Sequence, residues 1–154
     1  MKKITIEWLA QKNACQEGYS WFTKQNKEFE PIELIDLLIK ENQLEWANWL
    51  IVRVMDYSQY VSYAVFAAEQ VIKNYEKQYP DDKRPRTAIE AAKKCIKNPS
   101  DENKKEAVNA ARAAYSAANS AANSAACAEY SAAYRAKILK KTLKYGIKLL
   151  RENK

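Results

Sequence analysis

The alanine-rich stretch AVNAARAAYSAANSAANSAACAEYSAAYRA, residues 107–136, decides the fold class. Alanine is the strongest helix former and aromatic residues punctuate the stretch, which favours a helix over disorder. No glycine or proline interrupts the chain between Pro99 and Gly146. An unbroken helix over that span would have about 45 residues and a length of roughly 70 Å. Because its own chain cannot cover such a helix, it either breaks near residues 119–124 or projects and pairs with a second copy.

One stripe of this segment carries polar and aromatic side chains at every third or fourth position. In one interpretation, tyrosine rings stack a planar group while asparagine, serine and arginine supply hydrogen bonds, as a nucleotide site requires. In the other, the stripe is the solvent-facing side of a closely packed helix. The candidate ligand-binding residues of the segment are Arg112, Tyr115, Asn119, Asn123, Tyr130, Tyr134 and Arg135.

The chain outside this stretch also predicts helices, since it has two glycines and four prolines in 154 residues. We expect an all-α multi-helix bundle with a long alanine-rich C-terminal helix. We predict a single helical domain over residues 1–154. It has a helical bundle portion at 1–98 and an alanine-rich, basic portion at 99–154. Thr5 is predicted to cap a helix over residues 6–13, and the stretch 15–26 that follows is either a second helix or the continuation of one bent helix. Further helices are predicted over 31–41, 43–55, 58–79 and 85–97.

Three further arginines are candidates for binding an anion. Arg53 is a charge in the interior of the apolar segment 43–55, the predicted most buried helix, so it either joins a structural ion pair or points at a ligand. Arg84 and Arg86 flank a predicted helix start, where free backbone N–H groups also favour an anion. Salt bridges to Asp81 and Asp82 are the alternative.

The charge of the chain is concentrated in its second half. Residues 1–80 carry 9 Lys+Arg against 11 Asp+Glu, whereas residues 81–154 carry 17 against 8. In the last helix, Arg135, Lys137, Lys140, Lys141, Lys144, Lys148 and Arg151 recur at helical spacing opposite an apolar face. This basic stripe either attracts an anion or is a solvated outer face.

Several functional classes are disfavoured by composition. The chain has no histidine, which removes the commonest general base and metal ligand, and it has no glycine-rich phosphate loop. We therefore expect no enzyme activity, no metal and no cofactor. Its three widely spaced cysteines, Cys15, Cys95 and Cys127, predict buried thiols in a reducing cytoplasm. No window is long and apolar enough for a membrane span, so we expect no membrane association.

Several segments together resemble a known family. CQEGYSWF, WANWLIVRVM, YAVFAAEQVI and YPDDKRPRTAIEAAKK, followed by the alanine-tyrosine tract, resemble the putative immunity protein family over about residues 14–134. The resemblance implies an all-helical protein of toxin–immunity loci and phage genomes, with the immunity role inferred from gene neighbourhood. It transfers no catalytic or binding residue.

These observations leave two leading functions, both of them binding rather than catalysis. The first is a phage anti-defence sponge that sequesters an anionic, nucleotide-like immune signal. The second is an immunity protein that neutralises a toxin through a protein interface with exposed tryptophan or tyrosine anchors. Nucleic-acid binding through the basic C-terminal helix is a third possibility. In each case we expect a homo-oligomer formed through the alanine-rich helix.

Overall fold

A computed structural model describes residues 2–107, 109 and 132–152 of the chain, and helices dominate it. Their bounds are Ile6–Gln11 (α1), Gln16–Gln25 (α2), Pro31–Lys40 (α3), Leu44–Val54 (α4), Tyr57–Gln78 (α5), Arg84–Lys97 (α6) and Ala132–Glu152 (α7), with a further helical run over residues 101–107. The described ranges contain no β-strand, only an isolated antiparallel bridge between Ile4 and Phe29. The predicted all-α class is confirmed.

The chain forms two compact units. The first comprises Met1–Met55 and Gly146–Lys154, and the second comprises Asp56–Tyr145. These boundaries differ from the predicted portions 1–98 and 99–154, and the single domain stays a prediction. The predicted break near residues 119–124 and the homo-oligomer contact of the alanine-rich segment lie outside the described residues.

Asparagines in the left-handed backbone conformation end the first three helices. Asn13, Asn26 and Asn42 have φ values of 54°, 48° and 59°. Asparagine tolerates this region better than other residues with a Cβ, and a helix ends where it occurs. The break at Asn13 makes α1 and α2 two helices rather than one bent helix. Thr5 caps α1 as predicted, because its Oγ1 accepts the Trp8 backbone N–H at 3.2 Å.

The core of the first unit lies between α3 and α4. Ile35 and Leu38 of α3 and Leu50 and Ile51 of α4 are buried, with Ile35 and Ile51 fully enclosed. Pro31 begins α3 as predicted, at a position where the missing N–H costs nothing. In α4, the predicted most buried helix, Leu44, Ala47, Leu50 and Ile51 are buried, its tryptophans are half-buried, and only its charged residues are exposed.

The second unit is held by α5 and α6. Val65 and Ile72 of α5 form a buried cluster with Ile89 of α6. A capping box begins α5: the Asp56 carboxylate accepts the Gln59 backbone N–H at 2.8 Å, and the Gln59 side chain accepts the Asp56 N–H at 3.0 Å. The helix ends before Tyr79-Pro80, as predicted.

The basic and apolar faces predicted for the last helix are present in α7. Leu143 and Leu150 are buried, while Lys137, Lys140, Lys144 and the other described cations of the stripe are exposed. Helices of the described ranges all fall short of the length and apolarity that a membrane span requires.

The cysteine prediction is half wrong. Cys95 is buried, but Cys15 is exposed. Cys15 is the N-cap residue of α2, and its sulfur accepts the Gly18 N–H at 3.4 Å. Cys127 lies outside the described residues.

Candidate functional site

One exposed side of α5 is uncharged along its length. Tyr57, Tyr60 and Val71 expose 54%, 47% and 42% of their surface, and Ala64 is exposed between them. Their spacing of three, four and seven residues places them on one side of the helix. The charged residues of α5 are Glu69, Lys73, Glu76 and Lys77, which the helical repeat places on other sides. We call Tyr57, Tyr60, Ala64 and Val71 the α5 face.

Two other sides of α5 pack against neighbouring helices. Val65 and Ile72 contact α6 in the buried cluster. Phe66 stacks on Tyr145 of α7 with ring centroids 4.1 Å apart and an interplanar angle of 15°. This packing leaves the α5 face and the charged side chains of Lys73 and Lys77 in solvent, and of these the α5 face alone groups exposed apolar and aromatic side chains, as interaction sites do.

Tyr57 is held in place although its ring is exposed. Its hydroxyl lies 3.5 Å from the buried Cys95 sulfur, and this hydrogen bond raises the pKa of Tyr57. A tyrosine whose hydroxyl end is fixed loses little conformational entropy when a partner covers its ring. Tyr57 is thus preorganised as an anchor.

A cleft of about 370 Å³ lies in the first unit. Its walls come from α1, α2, α3, α4 and the turn between α1 and α2. Among the described residues that line it, Glu45 alone carries a charge. The lining residues are Leu9, Asn13, Ala14, Cys15, Gly18, Trp21, Phe22, Leu34, Leu38, Glu45, Trp46, Trp49 and Leu50.

Contacts among the tryptophans fix the walls of this cleft. Trp21 donates its indole N–H to Glu41 Oε2 at 3.1 Å, and its ring lies 6.1 Å from that of Trp46. A Cβ at Gly18 would lie 3.3 Å from the Cys15 sulfur, a tight contact, and 3.8 Å from the Trp46 ring, an ordinary contact distance. The cleft is a preformed aromatic pocket.

Arg84 and Arg86, predicted as anion-binding residues, both form ion pairs. Arg84 donates from Nε and Nη2 to the two carboxylate oxygens of Asp82, each at 2.9 Å, which is the alternative weighed for it from the sequence. These hydrogen bonds hold the pKa of Asp82 far below its usual value. Arg86 pairs with Glu76 of α5 instead. An additional role of both arginines in anion binding stays a prediction.

Arg53 is not buried, so that part of its prediction is wrong. It is exposed on the last turn of α4, where Nη1 donates to the Trp49 carbonyl at 2.9 Å and the guanidinium lies 4.0 Å from the centre of the Trp49 ring. Since Arg53 belongs to the first unit, it is in a different unit from Arg84 and Arg86. None of these three described candidates lines the tryptophan cleft.

The remaining candidates lie outside the described part of the chain. This holds for Arg112, Tyr115, Asn119, Asn123, Tyr130 and the side chains of Tyr134 and Arg135. Within the described ranges, no group of three or more cysteine, aspartate or glutamate side chains is arranged to hold a metal ion.

The sequence of residues 51–138 matches a family model described as Imm-5 like putative immunity protein. The chain belongs to this family. The match covers more than half of the 154 residues and confirms the resemblance inferred from sequence. Neither a curated protein nor a solved structure gives a significant match.

The two surfaces of this Imm-5-like protein differ in their relation to the family match. The match includes all of α5 and α6 and therefore the whole α5 face. The residues that line the tryptophan cleft all precede it, the last being Leu50.

Neither the α5 face nor the tryptophan cleft was predicted from the sequence. The signal for the α5 face was the spacing of Tyr57, Tyr60, Ala64 and Val71, and the signal for the cleft was the pair Trp46 and Trp49 three residues apart. In the sequence these residues look like buried core residues, and only the packing of neighbouring helices shows that they stay accessible.

Proposed function

We propose that this Imm-5-like protein is a non-catalytic immunity protein that binds its toxin through the α5 face. The observation that carries the proposal is the position of this exposed tyrosine-bearing face inside the segment that matches the family model. Tyrosine is among the residues enriched at the energetic centres of protein interfaces. Family membership thus favours the toxin-binding alternative over nucleotide sequestration.

The chemistry of the α5 face specifies the surface of the toxin that it fits. Because no charged residue of α5 lies on this face, the central contact on the toxin is apolar or aromatic, which avoids burying an unpaired charge. The second unit carries sixteen Lys+Arg against ten Asp+Glu. This positive charge favours association with a toxin that has an acidic margin around the contact.

The small residue in the middle of the face supports close approach by a partner helix or strand. Ala64 lies between the larger Tyr60 and Val71 in sequence, and its side chain is a single exposed methyl group. A partner side chain inserted over Ala64 would contact Tyr60 and Val71 together. The proposed interface is therefore centred on Ala64.

The test is binding to the product of the neighbouring toxin gene. We expect the purified pair to form a stable complex, and Tyr57→Ala with Tyr60→Ala to weaken it by about 30-fold or more, the effect of removing an interface anchor. The matched control is Lys73→Ala, which removes an exposed side chain from another side of α5. Rescue of toxin-expressing cells gives a second readout.

Three outcomes would overturn the proposal. The first is a neighbouring toxin that does not bind the wild-type protein. The second is a double variant with unchanged circular dichroism that binds and rescues as well as wild type. The third is a loss of binding by Lys73→Ala as large as that of the tyrosine variants, which would move the interface to another side.

Sequestration of a nucleotide-like signal is retained as the second candidate function. The basic second half of the chain supports it. The polar and aromatic stripe predicted to bind the nucleotide, in the alanine-rich segment, lies largely outside the described residues. Calorimetry with cyclic dinucleotides and ADP-ribose derivatives tests it, and an absence of heat with all of them would reject it.

A further inference from the structure

We infer that the tryptophan cleft of the first unit binds a small molecule with a flat aromatic body and one positive charge. The cleft lies outside the family-matched segment, so the inference does not rest on the proposed toxin binding. Its volume of about 370 Å³ falls within the roughly 300–1,000 Å³ typical of small-molecule sites. The cleft therefore has room for a ring system and a short side chain.

The walls of the cleft suit an aromatic body. Trp21, Trp46 and Trp49 are all half-buried although each borders the cleft, so apolar indole surface remains in contact with solvent there. A flat ligand would remove that surface from water and contact the rings edge-on or face-on. The Trp21–Glu41 hydrogen bond and the Trp21–Trp46 contact already fix these rings, so binding needs little reorganisation.

The charge of the lining specifies a cation. Glu45 is exposed and is the single charged group among the described lining residues, while the carboxylate of Glu41 accepts the Trp21 indole N–H. A carboxylate beside indole faces attracts ammonium groups by Coulomb attraction and by the cation–π interaction. An anionic ligand would meet Glu45 without a compensating cation from the described lining.

Arg53 places a cation over one tryptophan of the cleft, although Arg53 itself does not line the cleft. Its guanidinium lies 4.0 Å from the centre of the Trp49 ring, within the range of a cation–π interaction. The contact that we infer for a ligand is of the same kind.

Tryptamine, tryptophol and indole-3-acetate are the probes, because they share an indole and differ in carrying a cation, a neutral hydroxyl or an anion. Calorimetry with the full chain should give a dissociation constant of about 1 mM or tighter for tryptamine. Tryptophol should bind about tenfold more weakly, and indole-3-acetate more weakly still.

Two variants test whether the charge of Glu45 contributes to the affinity for tryptamine. Glu45→Gln should lower the affinity for tryptamine to that for tryptophol, and it changes an exposed side chain that is not needed for folding. The matched control is Glu17→Gln on α2, an exposed glutamate outside the lining. The exposed thiol of Cys15 locates the ligand, because tryptamine in the cleft should slow its alkylation by iodoacetamide.

The inference is overturned if tryptamine does not bind, or if indole-3-acetate binds as tightly. It also fails if Glu45→Gln and Glu17→Gln have the same effect, or if saturating tryptamine leaves the alkylation rate of Cys15 unchanged. Each result is independent of toxin binding.

Discussion

The guanidinium of Arg86 and the carboxylate of Glu76 form a bidentate ion pair that joins α6 to α5. Nε lies 2.8 Å from Oε1, and Nη2 lies 2.7 Å from Oε2. Both partners are partly exposed, with 38% and 29% of their side-chain surface in solvent. Such two-point geometry orients the helices and contributes more than a single-point surface contact.

The Arg86–Glu76 ion pair predicts that the free energy of unfolding depends on pH. The hydrogen bond from Arg86 lowers the pKa of Glu76 below 4.5. A carboxyl group with a lowered folded-state pKa stabilises the fold above its unfolded pKa and loses this contribution as the pH falls through the folded value. We expect Glu76→Gln to lower the urea midpoint at pH 7 and to have a progressively smaller effect below about pH 4.5.

A double-mutant cycle with Arg86→Gln isolates the pair from other effects of each residue. If the two substitutions had additive effects at pH 7, the pair would not contribute to stability.

Truncation of Ile89 should destabilise the second unit. Its side chain is 4% exposed and packs with Val65 and Ile72. We expect Ile89→Ala to lower the free energy of unfolding by about 2–5 kcal/mol and Ile89→Val by about 0.5–1.5 kcal/mol, measured by urea unfolding. The control is Val71→Ala on the α5 face, with a change within about 0.5 kcal/mol. If Ile89→Ala and Val71→Ala lowered the free energy of unfolding equally, the assignment of Ile89 to the core would be contradicted.

The sequence predicted helices well because their boundaries are locally encoded. Thr5 and Pro31 mark helix starts, and Tyr79-Pro80 marks a helix end, through backbone chemistry that needs no tertiary context. The choice between two helices and one bent helix after Thr5 stayed open, since asparagine also occurs inside helices and only the observed φ of Asn13 identifies its role.

The candidate site was harder to predict because it depends on which helix sides remain uncovered. In α5, Val65 and Val71 are both apolar and belong to overlapping helical stripes, yet one is buried and the other is exposed. Periodicity alone cannot rank such stripes when a helix is apolar on several sides. Arg53 was assigned to the interior for the same reason, because its apolar neighbours gave no indication of the open side.

The left-handed asparagines predict a distinct response to substitution. Asn26, with φ 48°, is the C-cap residue of α2. We expect Asn26→Ala to cost about 1–2 kcal/mol in unfolding free energy, because a Cβ clashes in this region, and Asn26→Gly to remain close to wild type. Thermal or urea unfolding measures both. A glycine variant as unstable as the alanine variant would show that the asparagine side chain, not its backbone conformation, matters.

The cysteines should differ in reactivity. Cys15 is exposed and Cys95 is buried beside the Tyr57 hydroxyl. In a timed iodoacetamide reaction read by peptide mass spectrometry, we expect rapid alkylation at Cys15 and protection of Cys95 until urea unfolds the chain. Alkylation of Cys95 at the Cys15 rate under native conditions would contradict the burial.

The tryptophan cleft precedes the family-matched segment, whereas the α5 face lies within it. The two proposed binding surfaces therefore share no residue. A substitution in one leaves the residues of the other unchanged, so under the two proposals each surface can diverge under its own selection.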